Sequence, residues 1–368
     1  MGAGEQVTTQ APDSDRQVLV RPAWLEATVS AVFTALGFEP GDSAKIAAAL
    51  VEADLRGVSS HGVMLVPMYV ERLNAGGVTR ERELDVLHDA GAALVADARG
   101  GMGQLSSPQA MGLAAERAGR YGIGLVSVRN AHHFGAASRW AMQAARAGQL
   151  GIAMSNTTPL MPAPGGAERL VGNNPLAIAV PTVGGPEMVL DMALSAVALG
   201  KIRLASSAGR SIPDTWATDS QGLPTTDPEA AVLGMLLPAA GHKGFGLALM
   251  IDVLTGVLSG GGWGDQVRPL YREPERPNDC AHLFLAINPE LLGGVEGFRQ
   301  RSSALAARVR ASATAPGVDR LHLPGEIEAE RAEYQRRHGV LIEKSGLDGL
   351  LATANAVGAV VPAGGVLN

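Results

Sequence analysis

Gly124-Leu125-Val126-Ser127-Val128-Arg129-Asn130-Ala131-His132-His133-Phe134-Gly135-Ala136-Ala137 is where the fold is read. Residues 124–128 form a short β-type run, the segment from Asn130 to Gly135 is a turn, and helical spacing starts at Ala136 and continues to 147. Gly148 then leads into a second β-type run at 150–154. Strands and helices following one another this closely build a layered sheet with helices packed on it. The turn lacks the Gly-x-Gly-x-x-Gly spacing, and no other strand-to-helix junction supplies it, so the layer is not of the Rossmann kind.

Outward from this unit the same alternation continues. Further β-type runs are expected at 93–96, 176–180, 188–190 and 282–287, and helices at 107–120, 244–258 and 295–313, with a glycine- and proline-rich connector at 260–278. Both ends are helical. Trp24, Leu25, Val29, Val32, Phe33 and Leu36 recur at helical spacing before Gly37. A second helix, capped by Asp42 or Ser43, carries the stripe Ile46, Leu50, Val51 and Leu55 and stops at Gly57. Residues 58–62 are then a turn, with His61 at the start of a helix over 63–73. Two more helices are expected at 327–337 and 348–357. The expected organisation is a polar, disordered tail over residues 1–20, a discontinuous helical domain from 21–80 and 314–368, and an α/β domain over 81–313.

Composition narrows the function. The chain has 368 residues, 46% of them hydrophobic and 18% charged, as an ordinary globular enzyme has. A net charge of −6 without a basic run argues against nucleic acid as a partner. The single cysteine, Cys280, permits no intrachain disulfide and no thiolate metal site, which fits a reducing, cytoplasmic compartment. The first twenty residues lack the pattern of a signal peptide, and no apolar stretch reaches membrane-spanning length.

Three of the eight histidines lie in glycine-rich loops where chemistry is plausible on physical grounds. In Gly57-Val58-Ser59-Ser60-His61-Gly62 the imidazole follows a hydroxyl that can orient it and precedes a glycine that uncovers it, as a general acid or base requires. His133 lies in the strand-to-helix turn quoted above, whose backbone amides can hold an anion or a cofactor edge. His242 and Lys243 begin the helix after Gly241, where a cation and helix amides together suit phosphate. For each histidine taken singly, a structural or surface role is the more frequent alternative. No carboxylate at ligand spacing accompanies the adjacent His132 and His133, so no metal is expected.

These segments, together with Ala53-Asp54-Leu55-Arg56 before the first loop, Gly172-Asn173-Asn174-Pro175-Leu176-Ala177, Leu190-Asp191-Met192-Ala193, Gly200-Lys201-Ile202 and Pro324-Gly325-Glu326, occur in an order that resembles the malate/L-lactate dehydrogenase family of the non-Rossmann type. That family also takes in ureidoglycolate, sulfolactate and diketogulonate dehydrogenases and cyclic-imine reductases. The resemblance runs from about residue 24 to about residue 357. It implies an α/β fold whose largely antiparallel central sheet binds NAD or NADP, and a homodimer whose partner subunit closes the active site on a small-molecule substrate. It also implies roles. His61 is the proton donor or acceptor during hydride transfer, with Ser60 beside it, and His133 is a second catalytic candidate. His133, Phe134, Gly135, Ala136, Ala137, Asp191, Met192, Ala193, His242, Lys243, Gly325 and Glu326 contact the cofactor. Leu65, Tyr69, Ser155 and Asn173 fall at substrate positions.

Two of those substrate positions depart from the family pattern. Members acting on 2-oxo acids carry an arginine four residues after the histidine, where this chain has Leu65; Tyr69, one helical turn further on, is retained. Losing a bidentate arginine–carboxylate contact removes roughly 1.5–3 kcal/mol. Asn173 replaces the family's threonine. The expected reaction is therefore interconversion of a 2-hydroxy acid and its 2-oxo acid or a related compound. A specialised imine or biosynthetic ketone reductase is the alternative, although the imine branch carries aspartate where this chain has Lys201. A cofactor-binding scaffold without catalysis is the alternative of another class, and the intact Ser60, His61 and Lys243 weigh against it.

Overall fold

The structure, a computed structural model, describes residues 17–183 and 185–367. In chain order the elements are β1 (Gln17–Val20), α1 (Pro22–Ala35), α2 (Pro40–Leu55), α3 (Val66–Ala75), β2 (Asp85–Asp89), β3 (Ala93–Asp97), α4 (Gly103–Tyr121), β4 (Ile123–Ala131), α5 (Ala137–Arg146), β5 (Leu150–Ser155), β6 (Leu176–Val180) and β7 (Met188–Met192). There follow α6 (Leu199–Ser207), β8 (Ala217–Thr218), α7 (Pro228–Leu233), β9 (Met235–Leu236), α8 (His242–Asp252), β10 (Cys280–Ile287), α9 (Pro289–Gly293), α10 (Val295–Arg310), α11 (Glu326–His338), β11 (Val340–Glu343) and α12 (Lys344–Ala356). No helix among the described residues is long and apolar enough to cross a membrane.

The main sheet has the order β2-β3-β4-β10-β5-β6-β7. Its β2–β3, β4–β10, β10–β5 and β5–β6 pairs are antiparallel and β3–β4 is parallel, so the expected α/β class with a largely antiparallel sheet is found. The centre is β10, whose run Cys-Ala-His-Leu-Phe-Leu-Ala-Ile is buried on both faces apart from two partly covered residues. The helices lie close because two glycines let them. A Cβ on Gly124 of β4 would come 2.0 Å from the Ala114 carbonyl oxygen of α4, and one on Gly151 of β5 would come 2.1 Å from that of Ala141 in α5. Both separations are impossible for a real side chain.

The chain divides into two compact units. One contains the described residues of Met1–Asn74, Thr182–Met188 and Gln300–Asn368; the other is Ala75–Pro181 with Val189–Arg299. These limits differ from the expected 80 and 314, and α10 crosses one of them. In the terminal unit the expected stripes are buried: Leu25, Val29, Val32 and Phe33 on α1, and Ile46, Leu50, Val51 and Leu55 on α2.

Four expectations need correction. Within the supposed tail of 1–20, residues 1–16 lie outside the described residues, but Gln17–Val20 is a strand paired antiparallel with β11. Its partner lies more than three hundred residues away, as the Gln17–Glu343 hydrogen bond records, and no local pattern announces such a pairing. The helix expected to be capped by Asp42 or Ser43 starts at Pro40, leaving both residues buried inside its first turn, because proline's fixed φ suits the first helical position. The helix expected from 63 begins with a 3-10 turn, Val63–Leu65, and becomes α-helical only at Val66. The apolar run expected as one helix over 244–258 passes at Val253–Val257 into a wider π turn.

Candidate active site

The terminal unit carries Ser60 and His61. After α2 the chain reverses at Gly57, with φ +78°, and winds through a 3-10 turn, Ser59–His61, in which the His61 and Gly62 amides donate to the carbonyls of Val58 and Ser59. Ser60 Oγ lies 2.9 Å from His61 Nδ1. The ring is half-buried and Ser60 is exposed. Ser60 thus engages one ring nitrogen and fixes the ring's rotation, leaving Nε2 as the nitrogen turned away from it. Leu65 is only 2% exposed and Tyr69 is fully buried, so neither side chain is open to solvent.

Gly325, in the left-handed region, and Glu326 begin α11 in the same unit. Glu326 Oε1 accepts from Arg310 Nε at 3.0 Å and Oε2 from the Leu323 amide at 2.8 Å. Burial pushes the Glu326 carboxyl upward, but the Leu323 amide and the Arg310 guanidinium outweigh it and hold the group below its ordinary range. Both oxygens are therefore already used within the unit.

The other unit carries the remaining candidates. Asp97, at the end of β3, accepts from the Arg99 amide (2.7 Å), Asn130 Nδ2 (2.7 Å) and Arg129 Nε (3.2 Å). Asn130 is held at φ +49°, a conformation that L side chains enter only with support. The turn that follows is pinned at Phe134, which is buried, stacks on His282 at 4.4 Å and accepts from Trp140 Nε1 at 3.1 Å through its carbonyl oxygen. His133 is half-buried beside it. Gly135, at φ +81°, directs the chain through Ala136 into Ala137 at the start of α5.

At the start of α5 the structure departs from the expectation of open amides. The Ser138 amide already donates to Asp191 Oδ2 at 2.9 Å, so a protein carboxylate satisfies the helix end. Asp191 and Ala193 are exposed and Met192 is half-buried; of the three, Asp191 alone carries a side-chain oxygen acceptor. The start of α8 is the opposite case. Gly241 (φ +62°) precedes it, no side chain caps it, and His242 and Lys243 are exposed in its first turn. Cation and helix end act there with the same sign.

Ser155 and Asn173 are drawn together where β5 meets β6. The Ser155 amide donates to the Pro175 carbonyl at 3.3 Å, and Thr157 Oγ1 donates to Asn173 Oδ1 at 3.0 Å. Ser155 is buried, with Oγ donating to the Asn156 carbonyl at 2.8 Å. Asn156 itself ties this point down: Nδ2 donates to Asp252 Oδ1 (2.9 Å) and the Gly262 carbonyl (2.8 Å), and Oδ1 accepts from the Ala281 amide (2.7 Å). Sequence reasoning missed Asp54, Asp97, Asn156 and His282. The carboxylates next to glycine turns were the only local signal, and none of these side chains repeats at a telling interval. Among the described residues no group of three or more His, Cys, Asp or Glu gathers as a metal cluster would.

The family model described as malate/L-lactate dehydrogenase matches residues 20–351. The malate dehydrogenase of Pyrococcus abyssi is 38% identical over 89% of this chain and 91% of its own length. The ureidoglycolate dehydrogenase (NAD(+)) of Escherichia coli is 40% identical over 79% and 82%, and the (2R)-3-sulfolactate dehydrogenase (NADP(+)) of Chromohalobacter salexigens 35% over 74% and 81%. Among solved structures, the sulfolactate dehydrogenase of Methanocaldococcus jannaschii superposes with a TM-score of 0.88 at 34% identity, covering 93% of this chain and 98% of that one. The delta1-piperideine-2-carboxylate reductase of Pseudomonas syringae superposes with a TM-score of 0.82 at 28% identity, covering 91% and 99%.

Proposed function

Because the chain belongs to the malate/L-lactate dehydrogenase family, we propose that it interconverts a 2-hydroxy acid and its 2-oxo acid, or a closely related compound, with NAD or NADP as the hydride carrier and His61 as the proton carrier. The observation that carries this reading is the Ser60–His61 pair, 2.9 Å apart on a half-buried loop. When the nicotinamide cofactor is bound, it supplies the hydride that adds to C2. His61 supplies the proton that the carbonyl oxygen takes up. As imidazolium it donates Nδ1–H to Ser60 Oγ and gives up the proton on Nε2, so the neutral tautomer left behind keeps its partner. In the direction of oxidation the same nitrogen receives the hydroxyl proton.

The donor set fits a dinucleotide. Lys243 and the uncapped start of α8 suit a phosphate, and the Asp191 carboxylate suits ribose hydroxyls, which need an acceptor. His133, Phe134, Gly135, Ala136, Ala137, Met192, Ala193 and His242 are proposed to line the cofactor with them. Gly325 and Glu326 are proposed only as a backbone contact, since the Glu326 carboxylate is committed to Arg310 and Leu323. Ser155, Asn173 and Tyr69 are proposed as substrate residues, of which Asn173 is half-buried and the other two buried. A buried single cysteine supports a reducing, cytoplasmic setting.

A second reading is favoured by Leu65. With a buried leucine where the family has arginine, the substrate lacks a guanidinium-anchored carboxylate at that point, and a ketone or imine of more apolar character fits. Self-association is supported by α8 and the π turn after it: Leu247, Leu249, Met250, Val253, Leu254, Val257 and Leu258 are each between 38% and 52% exposed, an apolar face that is unusual on a monomer.

A fluorescence titration with NADH and NADPH, followed by turnover assays on a panel of 2-oxo acids, tests the reading. Binding of at least one cofactor is expected, with His61→Ala retaining that binding while losing about 100-fold or more in kcat. A wild-type protein that binds neither cofactor, or a His61→Ala variant with unchanged kcat, overturns it.

A further inference from the structure

Asp54 is the last-but-one residue of α2 and lies seven positions before His61. It is only 4% exposed, and its carboxyl reaches back across the loop that carries the histidine. Oδ2 accepts from the Val63 amide at 2.8 Å, satisfying the first donor of the 3-10 turn Val63–Leu65. The group also lies directly under Gly62. A Cβ at Gly62 would stand 2.0, 2.2 and 2.4 Å from Oδ1, Cγ and Oδ2, so the glycine is there because the carboxyl fills the space of its side chain. The backbone on either side is fixed independently: the Gly57 amide donates to the Asp54 carbonyl at 2.8 Å, and that of Val58 to the Ala53 carbonyl at 2.8 Å. Gln335 Nε2 holds the Asp54 and Leu55 carbonyls at 3.2 and 2.9 Å. The loop thus leaves a rigid helix end, passes through Ser59–His61, and is caught again at Gly62–Val63 by the side chain of the helix it left.

We infer that Asp54 is a positioning residue for proton transfer: by clamping Gly62 and Val63 it fixes where His61 holds its ring, and what it contributes is an acceptor oxygen rather than a charge. Burial raises the Asp54 carboxyl to about 7, so near neutral pH its protonated and ionised forms are both populated, and each keeps an oxygen for Val63. The Ser60 contact sets the rotation of the imidazole, whereas the Asp54 clamp sets the backbone from which that rotation is measured. Both are needed for a ring nitrogen to meet a carbonyl oxygen within hydrogen-bond reach.

The inference rests on the proton role proposed for His61, and the test separates the two. The full chain with labelled histidine is compared as wild type, D54A, D54N and G62A. The ring-nitrogen signals of His61, assigned by their loss in H61A, are one readout. The others are kcat with the reduced cofactor and the best 2-oxo acid, and the Kd for that cofactor. Wild type and D54N are expected to show one sharp set of His61 signals, and D54A a broadened or doubled set. Turnover falls about 10- to 100-fold in D54A and stays within about threefold in D54N, while cofactor Kd is unchanged in both. In G62A the new methyl displaces the carboxyl and reproduces D54A; it decides the matter if D54A does not fold. His61 signals unaltered in D54A and G62A, altered signals with undiminished kcat, or a D54N as impaired as D54A would each overturn the inference. Should the wild type turn over no 2-oxo acid, the proposed reaction fails, and the His61 signals alone still decide for or against the clamp.

Discussion

At the level of single residues, the histidine with the clearest chemistry and the histidine with the most perturbed environment are different ones. The proton role proposed for His61 rests on a serine beside it and a glycine after it, both visible in the sequence. His282 is fully buried at the centre of the sheet, where desolvation pushes its pKa down to about 3, with Phe134 stacked on one side and Cys280 Sγ 3.5 Å from Nε2. Such a group must be neutral in the folded protein. Its stabilising contribution is present above about pH 6.5 and is lost as pH falls towards 3, because the unfolded chain binds the proton first. The full effect is on the order of 5 kcal/mol. A His282→Gln variant, which takes up no proton, should lose less stability than wild type between pH 6 and 4 in denaturant titrations; parallel losses would refute this. Nothing in the spacing of His282 distinguishes it from any strand residue, since its burial comes from β4 and β5 on its two sides.

Among elements, legibility followed locality. β6 was readable to its ends, and the cores of α1, α2, β4, β5 and β10 were readable from period alone, because each buries a stripe or run that repeats within the element. β1 and β11 were not, since each is defined by the other. The candidate loops stand out in the sequence, but their supports do not: Asp97 holding Asn130, Asn156 next to Ser155 and Asp54 against Gly62 reach their targets through folding rather than through spacing. α8 was legible as apolar but not in direction. Its buried side is Gly244, Ala248, Ile251 and Asp252, continued by Thr255 and Gly256, so apart from Ile251 small and polar residues face inward and the large apolar ones outward. Covering that face with a second copy removes it from water at roughly 25 cal/mol per Å² of apolar surface. A charge at its middle, Leu254→Glu, should shift the mass found by light scattering from dimer towards monomer. A wild type that is monomeric, or a variant that stays dimeric, would show that α8 does not mediate self-association.

For the whole molecule, two independent kinds of observation agree on the reaction and differ on the substrate. The order of motifs and the family membership both point to a dehydrogenase of the 2-hydroxy acid class, the premise of the hydride exchange proposed above. Leu65, buried where the resemblance implies arginine, carries the proposal that the substrate is not one of the dicarboxylic and small anionic acids such an arginine would hold. The two fit together if the acid or carbonyl is recognised elsewhere, with Asn173 and Ser155 as the polar contacts. The decisive measurement is the fate of deuterium from stereospecifically labelled NADH or NADPH when the purified protein is incubated with a panel of 2-oxo acids, from oxaloacetate to those with apolar side chains. The account predicts a single deuterium at C2 of the hydroxy product from one face of the cofactor, best with the apolar acids and abolished in His61→Ala. No deuterium at C2 with any acid in the panel, or transfer that survives in His61→Ala at the wild-type rate, would contradict it.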